Sequence, residues 1–223
     1  MAKRRAKQAA AVVPPPPAGD IAELPKLKRE QKIERLRELQ ARAERELSPH
    51  FSDVATRVVF GEGDADAPVM FVGEGPGVEE DRQGRPFVGR SGQFLDKQIK
   101  AMGYERAQVF IANVVKLRSA EWDDAEGRAK DRPPTPEEVA RGIHFLYEQI
   151  EIIRPKAIVA LGGPAIKWLL NLEGITKVRG TWQNHRGIPV MPTFHPAYVL
   201  RNYTEENRRK VWEDLKKVMA KVK

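Results

Sequence analysis

Four side chains that are suited to binding or chemistry occur where apolar runs of the sequence stop. Glu74, Asn113 and His195 each end or closely follow such a run, and Phe87 lies in a loop rich in glycine and arginine. An asparagine amide can donate to and accept from the edge of a nucleobase, a histidine can donate to a developing oxyanion, and an exposed ring can stack on a planar ligand. The coincidence of four such positions favours one ligand site.

Each of these residues also has a structural explanation. The segment GEGPGVEED around Glu74 is compatible with a glycine and proline turn carrying solvated acids, and Phe87 with a loop anchor. Asn113 can bond a neighbouring loop, and a lone histidine is more often structural than catalytic. A phosphate-binding loop is excluded, since the spacing is not G-x-G-x-x-G and no P-loop lysine follows.

The elements that must position these residues alternate along the chain. Four apolar runs predict strands, at Val69–Gly73, Val109–Val115, Ala157–Leu161 and Ile188–Thr193. Between and after them, four segments predict helices, at Gly92–Met102, Pro136–Ile153, Pro164–Leu170 and Glu205–Val222. Such alternation predicts an α/β fold with a mostly parallel sheet covered on both faces. In that fold ligands bind beyond the carboxyl ends of the strands.

The flanking segments have different compositions. Residues 1–20 combine a basic cluster with four consecutive prolines and predict a disordered tail, followed by a single domain over 21–223. The cluster, of Lys3, Arg4, Arg5 and Lys7, suits either nucleic acid or solvent. Residues 21–47 predict a long amphipathic helix, and residues 118–134 a long irregular connection. Ser91 and Thr135 are candidate caps of the helices that follow them.

Composition narrows the function classes. The net charge of +8 favours an anionic partner. The absence of cysteine excludes disulfides, a thiol nucleophile and an iron–sulfur cluster held by this chain alone. The four histidines lack metal-ligand spacing, and we expect no cofactor. The sequence has no apolar run long enough for a membrane span and no signal peptide, which predicts a soluble cytoplasmic protein.

Six ordered motifs between Arg57 and Asn202 closely resemble the family-four branch of the uracil-DNA glycosylase superfamily. They are GEGPGVEED, GRPFVGRSGQ, ANVVK, PTPEE, LGGPA and PTFHPAYVLRN. The resemblance implies a three-layer α/β/α sandwich around a four-stranded parallel sheet. It also implies an enzyme that hydrolyses the N-glycosidic bond of deoxyuridine in DNA and leaves an abasic site, and we expect a monomer. The alternative is an inert DNA-binding module that kept the pocket.

The resemblance also implies roles for individual residues. Glu74 would position or activate water, Phe87 would stack on uracil, and Asn113 would read its N3 and O4 edge. Glu80 would exclude the C5 methyl group of thymine, and His195 would stabilise negative charge on O2 of the departing base. The remaining pocket residues implied by the first motif are Gly73, Gly75, Pro76, Gly77 and Asp81.

DNA contacts follow from the last motif and from basic residues near the others. The loop Pro196–Arg201 would enter the minor groove, with Tyr198, Val199 and Leu200 as the wedge that replaces the extruded base. The candidates for phosphate contacts are Arg85, Arg90, Lys116, Arg118 and Arg201.

The sequence departs from this family in two places. Family-four proteins hold a four-iron, four-sulfur cluster on four cysteines, whose positions fall on Ser48, Phe51, Leu117 and Gly142. We expect apolar packing of Phe51 and Leu117 under the first helix to replace it. The segment 118–134 is longer than usual and has no histidine, whereas a related branch attacks the sugar covalently with one there. The sequence therefore predicts turnover without a protein–DNA adduct.

Overall fold

A computed structural model describes residues 12–223 and places a mostly parallel sheet between two layers of helices. The basic tail residues Lys3, Arg4, Arg5 and Lys7 lie outside the described residues. The strands are β1 (Glu62–Gly63), β2 (Val69–Gly73), β3 (Phe110–Asn113), β4 (Ala120–Asp123), β5 (Arg128–Asp131), β6 (Ala157–Leu161), β7 (Gln183–His185) and β8 (Ile188–Thr193).

The main sheet has six strands in the order β1-β3-β2-β6-β8-β7. Its four central strands are parallel, which confirms the parallel sheet expected from the apolar runs. Two further strands, β1 and β7, pair antiparallel at the edges of these four. β1 and β7 contain only two and three residues, too few to produce an apolar run.

Helices cover both faces of the sheet. They are α1 (Arg29–Leu47), α2 (Val78–Gln83), α3 (Arg90–Ala101), α4 (Pro136–Ile153), α5 (Gly163–Leu170), α6 (Ile175–Val178), α7 (Pro196–Arg201) and α8 (Glu205–Val222). One face packs on α4 and α5, the other on α3, α7 and α8. Every residue of β2 is buried, as expected for a strand covered on both faces. None of the helices among residues 12–223 has the length and apolarity to cross a membrane.

Helix α1 adds a further layer outside α4. Leu39, Ala43 and Leu47 form its buried stripe and pack in one cluster with Phe145 and Ile152 of α4. The helix begins at Arg29 rather than at residue 21, because Pro25 interrupts the helical pattern. The preceding residues form a short 3-10 turn, Ile21–Glu23.

Other local predictions have mixed outcomes. Thr135 caps α4 as expected, with its hydroxyl accepting from the Glu138 N–H at 3.3 Å. Ser91 is not a cap, because α3 starts at Arg90, two residues before the predicted start, and Gly89 takes the cap position. At the end of the predicted tail, the Gly19 carbonyl accepts from Arg186 at 3.0 Å.

The prediction of an irregular connection over 118–134 was wrong. Strands β4 and β5 pair in this segment as an antiparallel hairpin, with Trp122 opposite Ala129. The strands have only four residues each, and polar side chains occupy five of their eight positions, so the short alternation in β4 is too weak to mark a hairpin in the sequence.

Candidate active site

The four side chains singled out in the sequence meet in one pocket of about 450 Å³ at the carboxyl ends of the central strands. Glu74 follows β2, Asn113 ends β3, and His195 follows β8, while Phe87 comes from the loop between α2 and α3. Strands β2 and β3 are neighbours in parallel register, with Gly73 opposite Asn113, so their ends meet. The sheet topology therefore brings distant segments of sequence to one edge.

Glu74 carries a buried carboxylate oxygen that has no partner. Its Oε1 makes no hydrogen bond among residues 12–223. Burial raises the pKa of this carboxyl above its usual value. An unsatisfied buried oxygen is costly in a folded protein, and a catalytic role is one explanation for its presence. It is therefore suited to receive a hydrogen bond from a water molecule or to face a developing positive charge.

Asn113 also leaves an acceptor unused. Its Oδ1 is buried without a hydrogen-bond partner in the described part of the chain. Gly73 beside it leaves the necessary space, because a Cβ atom there would lie 2.5 Å from Asn113 Oδ1 and 2.5 Å from Phe87 Cζ. A glycine at this position thus lets the amide and the ring share one pocket.

Phe87 is held in an unusual backbone conformation. Its φ is 50°, in the left-handed region that a residue with a large side chain rarely adopts. Arg106 stabilises this turn by donating to the carbonyl oxygens of Pro86 at 2.5 Å and Phe87 at 3.2 Å. Gly92 admits the turn, since a Cβ there would lie 1.8 Å from the Phe87 oxygen.

His195 faces the Phe87 ring, with 5.7 Å between the ring centroids. Its Nδ1 accepts a hydrogen bond from the Ala197 N–H at 3.1 Å, which assigns the proton of the neutral ring to Nε2. Burial, with a smaller contribution from the Arg201 charge, lowers the pKa of His195 to about 4. Gly162 gives the histidine room, because its Cβ would lie 2.9 Å from that of His195.

A buried carboxylate holds the end of β8, from which His195 emerges. Asp214 of α8 accepts from the Thr193 hydroxyl at 2.6 Å and from Arg179 at 2.6 and 3.1 Å. The Arg179 guanidinium also lies over the Phe194 ring, 5.3 Å from its centroid. Sequence reasoning missed Asp214, Arg179 and Arg106, because their partners lie far away in the sequence.

Glu80 and Asp81 have structural partners. Glu80 Oε1 accepts from the backbone N–H groups of Val88 and Gly89, both at 2.8 Å, so it ties α2 to the loop that carries Phe87. Asp81 is buried and accepts from the N–H and hydroxyl of Thr56, both at 2.8 Å. Its assignment to substrate binding was wrong, since its carboxylate anchors the chain before β1. Gly75, Pro76, Gly77 and Glu80 line the pocket.

Three of the five candidate phosphate contacts are engaged inside the protein. Lys116 is 1% exposed and donates to the Asn113 carbonyl at 2.9 Å and to Gln149 at 2.7 Å. Arg118 is buried and pairs with Asp131 at 2.6 Å. Arg85 forms two hydrogen bonds with Glu62 at 2.7 and 3.0 Å. The assignments of Lys116 and Arg118 to DNA binding were wrong, because burial removes both cations from any approaching phosphate.

The segment 196–201 is helix α7 rather than a loop. Pro196 and Val199 are buried, and Val199 packs with the core beneath the sheet, so neither belongs to an exposed wedge. Tyr198 is 37% exposed and Leu200 is partly exposed. Arg90 and Arg201 are exposed and have no ion-pair partner among residues 12–223.

The four positions of the family's cluster cysteines do not fit an iron–sulfur cluster. Their side chains are a hydroxyl, a phenyl ring, an isobutyl group and a hydrogen atom, none of which is a thiolate. Leu117 packs against the cluster that contains Leu39, Ala43 and Leu47 of α1, as expected. Phe51 is 43% exposed, so its ring does not take the place of the iron–sulfur cluster by apolar packing. Within residues 12–223, no three histidine or acidic side chains come together as a metal site.

The fold and this pocket define an α/β enzyme of the base-excising kind, and comparison with known sequences agrees. The uracil DNA glycosylase superfamily profile matches residues 60–216. The chain belongs to this superfamily, as its motifs indicated.

Individual relatives support the family-four branch. The chain is 48% identical over 173 residues to the Type-4 uracil-DNA glycosylase of Thermotoga maritima, covering 75% of this chain and 84% of that protein. It is 44% identical over 174 residues to the Type-4 uracil-DNA glycosylase of Sulfurisphaera tokodaii, covering 73% and 74%. The Type-5 uracil-DNA glycosylase of Pyrobaculum aerophilum is 34% identical over 144 residues, covering 60% and 63%.

Proposed function

We propose that this protein is a uracil-DNA glycosylase that hydrolyses the N-glycosidic bond of deoxyuridine in DNA and leaves an abasic site. The observation that carries the proposal is the pair of unsatisfied oxygens, Glu74 Oε1 and Asn113 Oδ1, in one pocket with Phe87 and His195. Uracil supplies a hydrogen-bond donor to this pocket, because its N3–H can donate to the Asn113 amide oxygen while its ring stacks on Phe87.

The leaving group is stabilised by His195 in this mechanism. As the C1′–N1 bond breaks, electrons move onto the uracil ring and negative charge develops on O2. A neutral His195 ring donates its Nε2–H to that oxygen and needs no proton transfer. One such donor is worth about 3 kcal/mol in the transition state.

Glu74 is proposed to act on both the sugar and the attacking water. The deoxyribose develops positive charge as the bond breaks, and an ionised Glu74 carboxylate faces it. The water oxygen then forms a bond to C1′, and its proton passes to the Glu74 carboxylate. Of the three acids in the GEGPGVEED motif that are candidates, Glu74 is favoured, since Glu80 and Asp81 already accept from backbone N–H groups.

Selectivity against cytosine comes from Asn113. Cytosine has an acceptor at N3 and an amino group at position 4, so it reverses the pattern of uracil at this edge. The buried amide would then lose its hydrogen bonds, which is a severe penalty in a dry pocket. Glu80, at the pocket wall, is proposed to exclude the methyl group of thymine.

The test uses end-labelled oligonucleotides with a single U, T, C or hypoxanthine, in single and double strands, treated with alkali after incubation. We expect strand cleavage at U. Binding without cleavage would favour the inert module that keeps the pocket. Loss of cleavage in the variants Glu74→Gln and Asn113→Ala would assign the turnover to this pocket.

The reaction is proposed to be monofunctional, with the enzyme acting as a cytoplasmic monomer. Residues 118–134 contain no histidine that could attack the sugar. A denaturant-resistant adduct with uracil-containing DNA would contradict the first part, and sedimentation at working concentration checks the second.

A further inference from the structure

The hairpin formed by β4 and β5 contributes one wall of the pocket. Ser119, Asp131 and Arg132, at its base, line the cavity together with Glu74 and His195. Asp131 Oδ2 lies close to the backbone of Gly77, where a Cβ atom would approach it to 3.3 Å. DNA that delivers a base to the pocket therefore passes next to this hairpin.

The hairpin is anchored to α4 at its base, and its turn is closed by local hydrogen bonds. At its base, Arg132 donates to the two carboxylate oxygens of Glu138, each at 2.8 Å. At its tip, the Asp123 carboxylate accepts from the N–H groups of Ala125 and Glu126 at 3.0 and 3.2 Å. A side chain on this ribbon is thus presented in a defined place.

Trp122 is the exposed apolar side chain of the hairpin. Its indole is 59% exposed, although tryptophan is usually mostly buried. Ala120 pairs with Asp131 and Trp122 with Ala129, so Trp122 shares a face with the pocket-lining Asp131. It stands two residues further out, or about 7 Å along the strand.

The charges of the hairpin make phosphate an unsuitable partner. Each cation from residue 118 to 132 pairs with a carboxylate: Arg118 with Asp131, Arg128 with Glu126, Lys130 with Asp123 and Glu126, and Arg132 with Glu138. What the hairpin offers to DNA is therefore an aromatic surface. Aromatic rings bind nucleic acid by stacking on bases, largely without regard to sequence.

We propose that Trp122 stacks on an unpaired base next to the uridine in the pocket and so favours single-stranded DNA as substrate. In a duplex the neighbouring base stays paired and keeps one stacked face, and the face that opens when the uridine is extruded lies inside the helix, where the indole of the hairpin does not reach it. This inference rests on the proposed function, because it needs DNA at the pocket.

The experiment measures binding of Trp122→Ala and Trp122→Phe, each combined with Glu74→Gln so that DNA stays intact. The probes are a single-stranded oligonucleotide with one U, its duplex, and single strands in which an abasic linker replaces the 5′ or the 3′ neighbour. We expect Trp122→Ala to weaken single-strand binding about 5- to 150-fold, the usual range for one stacked base. We expect Trp122→Phe to retain most of the affinity.

Two further results are expected. The Trp122→Ala effect should fall below about twofold on the duplex and on one of the two abasic-linker strands, and the salt dependence should not change, since no phosphate contact is lost. Phe51→Ala, which removes another exposed ring away from the pocket, is the matched control.

Equal weakening on all four probes, or no weakening on the single strand, overturns the proposal; the second result would show that the indole does not contribute to DNA binding. Neither outcome touches the proposed function, which is read separately from uracil excision by the protein with Glu74 restored.

Discussion

The backbone N–H of Ala197 donates to Nδ1 of His195 at 3.1 Å and thereby commits that nitrogen as an acceptor. The same bond caps helix α7, so the turn that starts the helix also fixes the tautomer of the imidazole. With a pKa lowered to about 4, the ring is neutral at physiological pH and presents Nε2–H to the pocket.

We expect His195→Ala to slow single-turnover excision of uracil by about 100-fold or more, the usual cost of removing an oxyanion donor. Because the ring stays neutral above about pH 4, the excision rate of the parent should show no step from histidine between pH 5 and 8. His144→Ala on α4, away from the pocket, is the control. An acid limb near pH 6.5 that disappears in His195→Ala would contradict the neutral ring.

Glu74→Gln should lower the rate of uracil excision and raise the stability of the folded protein. Excision should fall about 100- to 10,000-fold with the loss of the carboxylate. Burial in the folded protein raises the pKa of the Glu74 carboxyl. Protonated Glu74 therefore contributes to stability at low pH, and this contribution to stability is lost as pH rises through the raised pKa. Glutamine avoids the buried charge, and we expect Tm to rise by a few degrees at pH 8 and by less at pH 4. A lower Tm at pH 8 would refute this.

Gly92→Ala should disturb the pocket without touching the ligand. A Cβ at this position would lie 1.8 Å from the Phe87 oxygen, so the strained loop must move. A displacement of about 1 Å can cost up to about 100-fold in rate, and overpacking about 1–3 kcal/mol in stability. Gly163→Ala is the matched control, because no atom lies within 4 Å of its Cβ. It should change neither the excision rate nor the free energy of unfolding, which are the two quantities to measure.

Much of this architecture is readable from local sequence. The runs at Val69–Gly73, Ala157–Leu161 and Ile188–Thr193 give three central strands at their observed bounds, because these strands are covered on both faces and almost every residue in them is buried. What the sequence did not indicate are long-range contacts. Burial of Lys116 and Arg118 depends on partners from α4 and the hairpin, and helix α7 hides Val199 within a segment that looks like a loop.

Lys116→Met tests the buried cation through the pH dependence of stability. Burial lowers the pKa of Lys116 to about 7, so between pH 7 and 10 the unfolded chain binds more protons than the folded one. Stability of the parent should therefore gain up to about 1.4 kcal/mol per pH unit from this group, relative to the variant. Denaturant unfolding at pH 7, 8 and 9 measures it, with the exposed Lys100→Met as control. Parallel curves for parent and Lys116→Met would show that folding does not lower the pKa of Lys116.

The salt dependence of DNA binding should come from Arg90 and Arg201. Arg90 lines the pocket and Arg201 ends α7, and both are exposed without an ion-pair partner among residues 12–223. With two phosphate contacts, a plot of the logarithm of the association constant against the logarithm of the salt concentration should have a slope of about −2. Arg90→Ala or Arg201→Ala should each reduce the magnitude of this slope by about 1.

Anisotropy titrations at several salt concentrations, in the Glu74→Gln background, measure this slope. Arg37→Ala on the exposed face of α1 should leave it unchanged. A slope that responds to Arg37 as strongly as to Arg90 would mean that DNA binds by diffuse attraction to the positive protein. A slope that responds only to Arg90 and Arg201 would place the phosphate backbone across the pocket between α3 and α7.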